Sequence, residues 1–240
     1  MTDKQIDIID VRAGAEEENE KFAVQVRSFC HGHGIYLVNL MASPGAGKTT
    51  VLCRLIDMLS DEFEIAVIEA DVDADVDART VAAHGAAAIQ LHTGGSCHMD
   101  AQMTLEGLRA LEAGAETGAD RAAGSSRAER PKLVFLENIG NLVCPAEFDV
   151  GADLKLMILS VPEGDDKPLK YPLMFTVSEC LLINKIDTSE IFDFDPERCK
   201  KHVAELNPQM PVFPVSGKSG EGLDEFARWL KEHIHEGYRA

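Results

Sequence analysis

The sequence predicts an α/β protein in which a mostly parallel sheet is flanked by helices. Two observations carry this expectation. Short apolar runs of strand length alternate along the chain with stretches whose apolar residues fall at helical spacing, and no internal repeat interrupts them. One such run, Ile35 to Met41, feeds directly into Ala42-Ser43-Pro44-Gly45-Ala46-Gly47-Lys48-Thr49-Thr50, after which Val51, Leu52, Leu55, Ile56 and Leu59 mark a helix. A strand, a glycine-bearing turn, Gly-Lys-Thr and a helix form the context of a phosphate-binding loop. The expected fold is therefore that of a P-loop NTPase, with Gly45, Ala46, Gly47, Lys48, Thr49 and Thr50 as phosphate contacts. Backbone N–H groups and the positive helix end would cradle the anion. Lys48 would reach the β- and γ-phosphates, and the Thr49 hydroxyl would hold Mg²⁺. Ala42 stands where the usual pattern has its first Gly, and alanine is small enough for the turn. The competing reading is an ordinary glycine-bearing strand–helix turn, and it accounts poorly for Gly-Lys-Thr-Thr in this context.

Composition narrows the class. A chain of 240 residues suits one α/β domain with a large core, or at most a domain plus a small appendage. A formal net charge of −18 argues against a nucleic-acid partner, which needs a basic stripe. It leaves room for basic protein partners or cationic metals. No apolar run approaches the ~20 residues of a membrane span, and the first residues lack a signal-peptide pattern. Cys30, Cys53, Cys97, Cys144, Cys180 and Cys199 are scattered, so reduced thiols in the cytoplasm are expected rather than disulfides.

In chain order, residues 1–34 read as a polar lead-in followed by an amphipathic helix from Ala13 to about Cys30, with Glu16, Glu17, Glu18 and Glu20 in its first turn. The Cys30-His31-Gly32-His33-Gly34 cluster fits a helix C-terminus with glycine stops better than a chelating site. Residues 35–240 read as the P-loop domain. Phe63 to Ala70 is the second strand, delivering Asp71, Asp73, Asp75 and Asp77. Asp71, nearest the strand end, is the candidate oxygen ligand for Mg²⁺, and Asp77 a weaker second. The alternative is a solvated acidic loop whose last aspartates cap a helix. Ala86 to Leu91 is a weak third strand leading to Cys97-His98, and a helix follows through Met99, Met103, Leu105, Leu108 and Leu111. Residues 113–130 are small, charged and aperiodic, and read as a mobile surface insertion. Lys132 to Leu136 is a fourth strand that delivers Glu137-Asn138-Ile139-Gly140. An acid at a strand end with a glycine three residues on suits a switch that senses the γ-phosphate. Leu154 to Val161 is a fifth strand, followed by a stiff charged loop, Glu163 to Pro172. Glu179 to Ile183 and Pro211 to Val215 are the last strands, and a helix from Glu221 to His235 closes the fold.

Asn184-Lys185-Ile186-Asp187 decides the base. A carboxylate in the base plane accepts from guanine N1–H and its exocyclic amine, whereas adenine would present a lone pair to it. Asp187 is thus expected to select GTP, with Lys185 lying over the base and the Ser216-Gly217-Lys218 turn offering a backbone N–H to the guanine oxygen.

These motifs together bear a family resemblance. Ser43-Pro44-Gly45-Ala46-Gly47-Lys48-Thr49, Gly95-Ser96-Cys97-His98-Met99-Asp100-Ala101, Glu137-Asn138-Ile139-Gly140-Asn141-Leu142-Val143-Cys144-Pro145-Ala146, Glu163 to Pro172 and Asn184-Lys185-Ile186-Asp187 resemble the HypB family. The likeness runs from about residue 15 to 235. It implies a GTP-dependent homodimer of the SIMIBI class. Such a protein assists nickel insertion into nickel–iron hydrogenase, working with a HypA-type metallochaperone on the large-subunit precursor. Many members also carry a Cys-x-x-Cys-Gly-Cys motif or a His-rich tract near the N-terminus. Neither occurs in these residues, so nickel handling is expected to fall on the domain's own cysteines and histidine.

Cys97, His98 and Cys144 are those candidates. Loops gather at the carboxyl ends of parallel strands, which puts all three on the edge of the P-loop. Two thiolates and an imidazole suit Ni²⁺ or Zn²⁺, and three ligands leave a position open. The alternative is that these are packing residues, which would make the chain a metal-free GTPase chaperone. A small-molecule P-loop kinase is opposed by Asn184 to Asp187, and a urease-accessory GTPase fits Glu163 to Pro172 less well. The catalytic candidates are Lys48, Asp71 and Glu137, with Thr49, Asp71 and Glu137 toward Mg²⁺.

Overall fold

The computed structural model describes residues 12–71, 76–117 and 130–238, with the backbone alone at 12, 13, 71, 76–78 and 115–117. Among these residues, seven strands form one parallel sheet in the order β3-β2-β4-β1-β5-β6-β7. They are β1 Ile35–Ala42, β2 Glu64–Asp71, β3 Ala87–His92, β4 Lys132–Glu137, β5 Leu154–Ser160, β6 Cys180–Asn184 and β7 Val212–Pro214. The helices are α1 Arg12–His33, α2 Lys48–Leu59, α3 Val76–Ala83, α4 Ala101–Thr117, α5 Cys144–Glu147, α6 Lys167–Lys170, α7 Pro172–Val177, α8 Ser189–Phe192, α9 Pro196–Leu206 and α10 Leu223–Gly237.

All eight residues of β1 are buried, because the strand is central and covered on both faces. Alternation along it sorts two cores. Tyr36, Val38 and Leu40 pack against Leu52, Leu55 and Ile56 of α2 and Phe226, Leu230 and Ile234 of α10. Ile35 and Leu37 point the other way, into a cluster with Ala23, Val26 and Cys30 of α1 and Leu105 and Leu108 of α4. Met41 continues on that face into a third cluster with Met174 and Phe175 of α7 and Cys199 and Val203 of α9.

The expected strands are all present, their ends shifted by a residue or two. Three expectations need correction. Helix α1 begins at Arg12 and carries no acid in its first turn, so the Glu16–Glu20 acids lie further along it. Its end matches the helix-terminus reading of the histidine cluster: His33 Nδ1 lies 2.8 Å from the Phe29 carbonyl and its ring stacks on Phe29. Residues 113–117 continue α4, and 118–129 of the expected insertion lie outside the described residues, as do residues 1–11. The stretch from Glu163 to Pro172 is not all loop. Pro168 and Pro172 sit in the first turns of α6 and α7, where a missing N–H costs nothing. Among the described residues, no helix is long and apolar enough to cross a membrane.

Candidate functional site

The carboxyl ends of all seven strands lie along one edge, and the loops that leave them build the site. β1 runs into Ser43–Gly47, and Lys48 opens α2. Gly47 makes the turn: its φ of 93° is left-handed, and a Cβ there would sit 2.6 Å from Asn184 Nδ2. Lys48 and Thr49 thereby stand at a helix N-terminus, the end of a helix that favours an anion.

Thr49 Oγ1 donates to Glu137 Oε1 at 3.0 Å. Glu137 is 4% exposed at the end of β4, in register with Leu40 of β1. The pair offers a hydroxyl and a carboxylate, hard oxygen donors that fit Mg²⁺. Asp71 closes β2 next to the end of β4; its side chain, and residues 72–75 with Asp73 and Asp75, lie outside the described residues. The side chain of Asp77, within α3, does too.

The 184–187 and 216–218 loops are knitted to the P-loop. Asn184 is buried, and it donates through Nδ2 to the Ala46 carbonyl at 2.8 Å and accepts at Oδ1 from Gly217 N at 2.9 Å. One amide thus fixes the spacing between the phosphate loop and the Ser216–Lys218 turn. The Gly217 N–H is taken by that bond. Ser216 is fully buried and its Oγ accepts from Ser219 N. Arg54 of α2 donates to the carbonyls of Gly217 and Lys218. Lys185 adopts a left-handed φ of 63° and its Nζ donates to the Gly45 carbonyl at 2.7 Å. Its stem therefore runs from the 184–187 loop to the P-loop. Asp187 is exposed in the turn Ile186–Thr188. Thr50 is exposed on the first turn of α2.

Cys97, His98 and Cys144 come together, with ligand atoms all within 4.8 Å of one another. Cys97 Sγ lies 2.9 Å from Cys144 Sγ and 3.7 Å from His98 Nδ1. Because β2 lies between β3 and β4 in the sheet, the Cys97 loop crosses the end of β2 to reach Cys144. The cluster sits at the surface, with Cys97 exposed and the others half-buried. Burial holds the His98 imidazole below its ordinary pKa, so it is neutral at pH 7 and its lone pair is available. The Cys144 thiol is raised by its hydrogen bond with Cys97 and then by burial. A soft cation would have to displace those protons, and two thiols with a neutral imidazole suit Ni²⁺ or Zn²⁺.

Several residues of this edge carried no functional expectation. Asn138, 1% exposed, accepts from Met99 N at 3.0 Å and donates to Asn39 Oδ1 at 3.2 Å, tying the Cys97–Met99 loop to the end of β4. Asn141 Oδ1 accepts from Val143 N in an Asx turn that presents Cys144, and its amide donates to the Cys97 carbonyl. Phe148 stacks on His98 at 4.2 Å between centroids. Asparagines at a strand end are a signal for turns of this kind, whereas nothing local marks Phe148.

The fold and the loop define a P-loop nucleotide-binding protein. The model of the CobW/HypB/UreG nucleotide-binding domain family matches residues 36–214. Among curated relatives, hydrogenase maturation factor HypB of Escherichia coli strain K12 is 38% identical over 231 residues, 96% of this chain and 72% of that protein. HypB of Azotobacter vinelandii is 41% identical over 214 residues, covering 89% of this chain, which spans about two thirds (66%) of that relative's length. The crystal structure of HypB from Helicobacter pylori in complex with nickel superposes with a TM-score of 0.82 at 35% identity, covering 92% of this chain and 97% of that one. The chain belongs to the HypB family of hydrogenase maturation factors.

Proposed function

We propose that the chain is a GTP-hydrolysing metallochaperone that assists nickel insertion into nickel–iron hydrogenase, with metal binding and dimerisation gated by nucleotide. The observation that carries this reading is one short segment, residues 137–144, that holds both chemistries. Glu137 at its start bonds Thr49, and Cys144 at its end meets Cys97. In this reading residues 1–34 are a lead-in and helix, and 35–240 the GTPase domain with its insertion at 113–130. The protein works in the cytoplasm as a homodimer, with a HypA-type nickel chaperone and the hydrogenase large-subunit precursor as partners.

Hydrolysis rests on the P-loop. The loop amides and Lys48 hold the β- and γ-phosphates and stabilise charge that develops on the transferred group. Thr49, Glu137 and Asp71 would hold Mg²⁺, which when bound neutralises phosphate charge. Turnover is expected to be slow. Asp187 selects guanine by accepting from N1–H and the amine. Ni²⁺ or Zn²⁺ is cargo for Cys97, His98 and Cys144, whose exposure suits hand-over better than a closed structural site.

The test is kinetic. Lys48→Ala should abolish GTP turnover with the circular dichroism spectrum intact. Asp187→Asn should lose GTP preference and gain affinity for xanthine nucleotides, because the amide donates to the xanthine oxygen. Normal hydrolysis in the first variant, or unchanged GTP preference in the second, would overturn the assignment. A metal-free chaperone would be indicated if dialysed protein bound no more Ni²⁺ or Zn²⁺ than its Cys97→Ala, Cys144→Ala variant.

A further inference from the structure

The two loops that supply the metal cluster are joined by a side chain from a third element. Asn19 stands on α1, and its Nδ2 donates to the Asp149 carbonyl at 2.7 Å while its Oδ1 accepts from Ala101 N at 2.9 Å. Ala101 opens α4 just after Cys97, His98 and Met99, and Asp149 follows Phe148, the ring that stacks on His98. One planar amide therefore spans the Cys97–His98 segment and the Cys144–Phe148 segment.

We propose that Asn19 is a positioning residue for the metal cluster, setting the distance between the segment of Cys97 and His98 and that of Cys144. The inference rests on the metal-site reading above. Three features support it. An amide presents a donor and an acceptor in one rigid plane, and both are used here, each to a backbone atom. Backbone partners mean that the amide fixes the course of the chain on either side rather than one rotamer. The amide is also held on a rigid support. Ala23, Val26 and Cys30 bury α1 against the sheet and α4, and Arg27 forms an ion pair with Asp149 at 2.8 Å. Other ties between these segments among the described residues include the Cys97–Cys144 thiol contact at 2.9 Å, the exposed Asn141–Cys97 bond at 3.3 Å, the bond from Met99 N to Asn138 and the His98–Phe148 stack. Outer groups of this kind govern metal affinity because they set where the ligand atoms can go. A consequence is that α1, outside the phosphate and base loops, is mechanically connected to the cargo site.

Asn19→Asp separates this role from simple support. A carboxylate still accepts from Ala101 N, at a helix N-terminus that favours it, but it loses the donor and turns a lone pair toward the Asp149 carbonyl. Ni²⁺ is titrated into the purified chain with GDP bound, and Co²⁺ is used as a spectroscopic probe of the ligand geometry. Asn19→Asp should melt near the wild-type temperature and bind GDP normally, yet bind Ni²⁺ about 10–100-fold more weakly and shift the Co²⁺ d–d bands. Val26→Ala, which loosens α1 by a core cavity without touching the amide, should lower the melting temperature and leave Ni²⁺ affinity within about twofold of wild type. Wild-type Ni²⁺ affinity in Asn19→Asp, with binding lost in Cys97→Ala, would overturn this inference alone. Equal losses in Val26→Ala and Asn19→Asp would also overturn it, since helix docking in general would then be the cause. Ni²⁺ affinity unchanged by Cys97→Ala would overturn the metal-site reading and this inference with it.

Discussion

Residues of one chemical type divide by surroundings. Burial pushes the Cys30 and Cys199 thiols up to about 12 and raises Cys180 as well. Such thiols carry almost no thiolate at neutral pH and are inert. Cys97 and Cys144 lie at the surface and in mutual contact. A thiol reagent applied to native protein at pH 8 should therefore modify two thiols quickly, with mass mapping to Cys97 and Cys144. Saturating Ni²⁺ or Zn²⁺ should slow both. Fast labelling of a third position, or no protection by metal, would contradict the assignment. Gly47 gives a second case. With φ of 93° and no room for a Cβ beside Asn184, Gly47→Ala should cost about 1–3 kcal/mol of stability. Because the same turn shapes the proposed phosphate loop, nucleotide binding measured by calorimetry should fall with it. An alanine variant that binds GDP normally would show that the turn's left-handed geometry is dispensable.

Elements are held on the edge by polar anchors as well as by the core. Asp165, in the stretch between β5 and α6, is 7% exposed and takes hydrogen bonds from Arg198 and Asp195 N on the α9 side. Burial alone would raise its pKa, but Arg198 and the backbone N–H outweigh it and hold the carboxyl below the usual range. A depressed folded-state pKa means stability that is present above the unfolded value of about 3.9 and lost as pH falls through the folded one. The melting-temperature gap between wild type and Arg198→Ala should thus be constant above about pH 5 and shrink toward pH 2–3. A gap that does not change with pH would exclude the charge pair as its source.

That anchor also marks where sequence reading reached its limit. Strands were legible because a buried parallel strand is a short apolar run between turn residues, and the seven are all found. The P-loop was legible because a strand, a glycine turn, Gly-Lys-Thr and a helix fall at fixed spacing, and the structure brings Asn184 and Lys185 against it. Helix α9 was missed although Asp195-Pro196 is a cap followed by a first-turn proline, and Asp195 does accept from Glu197 N and Arg198 N. Helices α6 and α7 were obscured by prolines read as loop formers. Asn19 and Phe148 were beyond reach, because their roles exist only once α1, α4 and the 144–149 segment are brought together by tertiary packing.

At the scale of the whole molecule, the P-loop and the Cys97–His98–Cys144 cluster share a set of contacts. Thr49 bonds Glu137, the neighbouring Asn138 holds Met99 beside His98, and Asn141 N donates to the Ala42 carbonyl at 2.9 Å. Gly140 abuts the P-loop so closely that a Cβ would lie 2.8 Å from Pro44 N. A movement of residues 137–141 on engaging the γ-phosphate would therefore be felt at Cys144 and at the Cys97 loop. An open groove of about 440 Å³ bounded by Pro44, Gly140, Asn141, Glu163, Lys167 and Tyr171 lies beside that segment. Coupling of this kind is reciprocal. Nickel should change the preference between GTP and GDP by the factor by which nucleotide changes nickel affinity, typically about 5–150-fold. The most direct measurement is Ni²⁺ affinity of the same protein saturated with GDP and then with a non-hydrolysable GTP analogue, with dimer fraction followed in parallel. The expected result is two different affinities and a matching shift in nucleotide preference when nickel is saturating. Equal affinities in the two states, with binding lost in Cys97→Ala, would contradict the account, because the metal would then be held on this edge without being gated by the nucleotide.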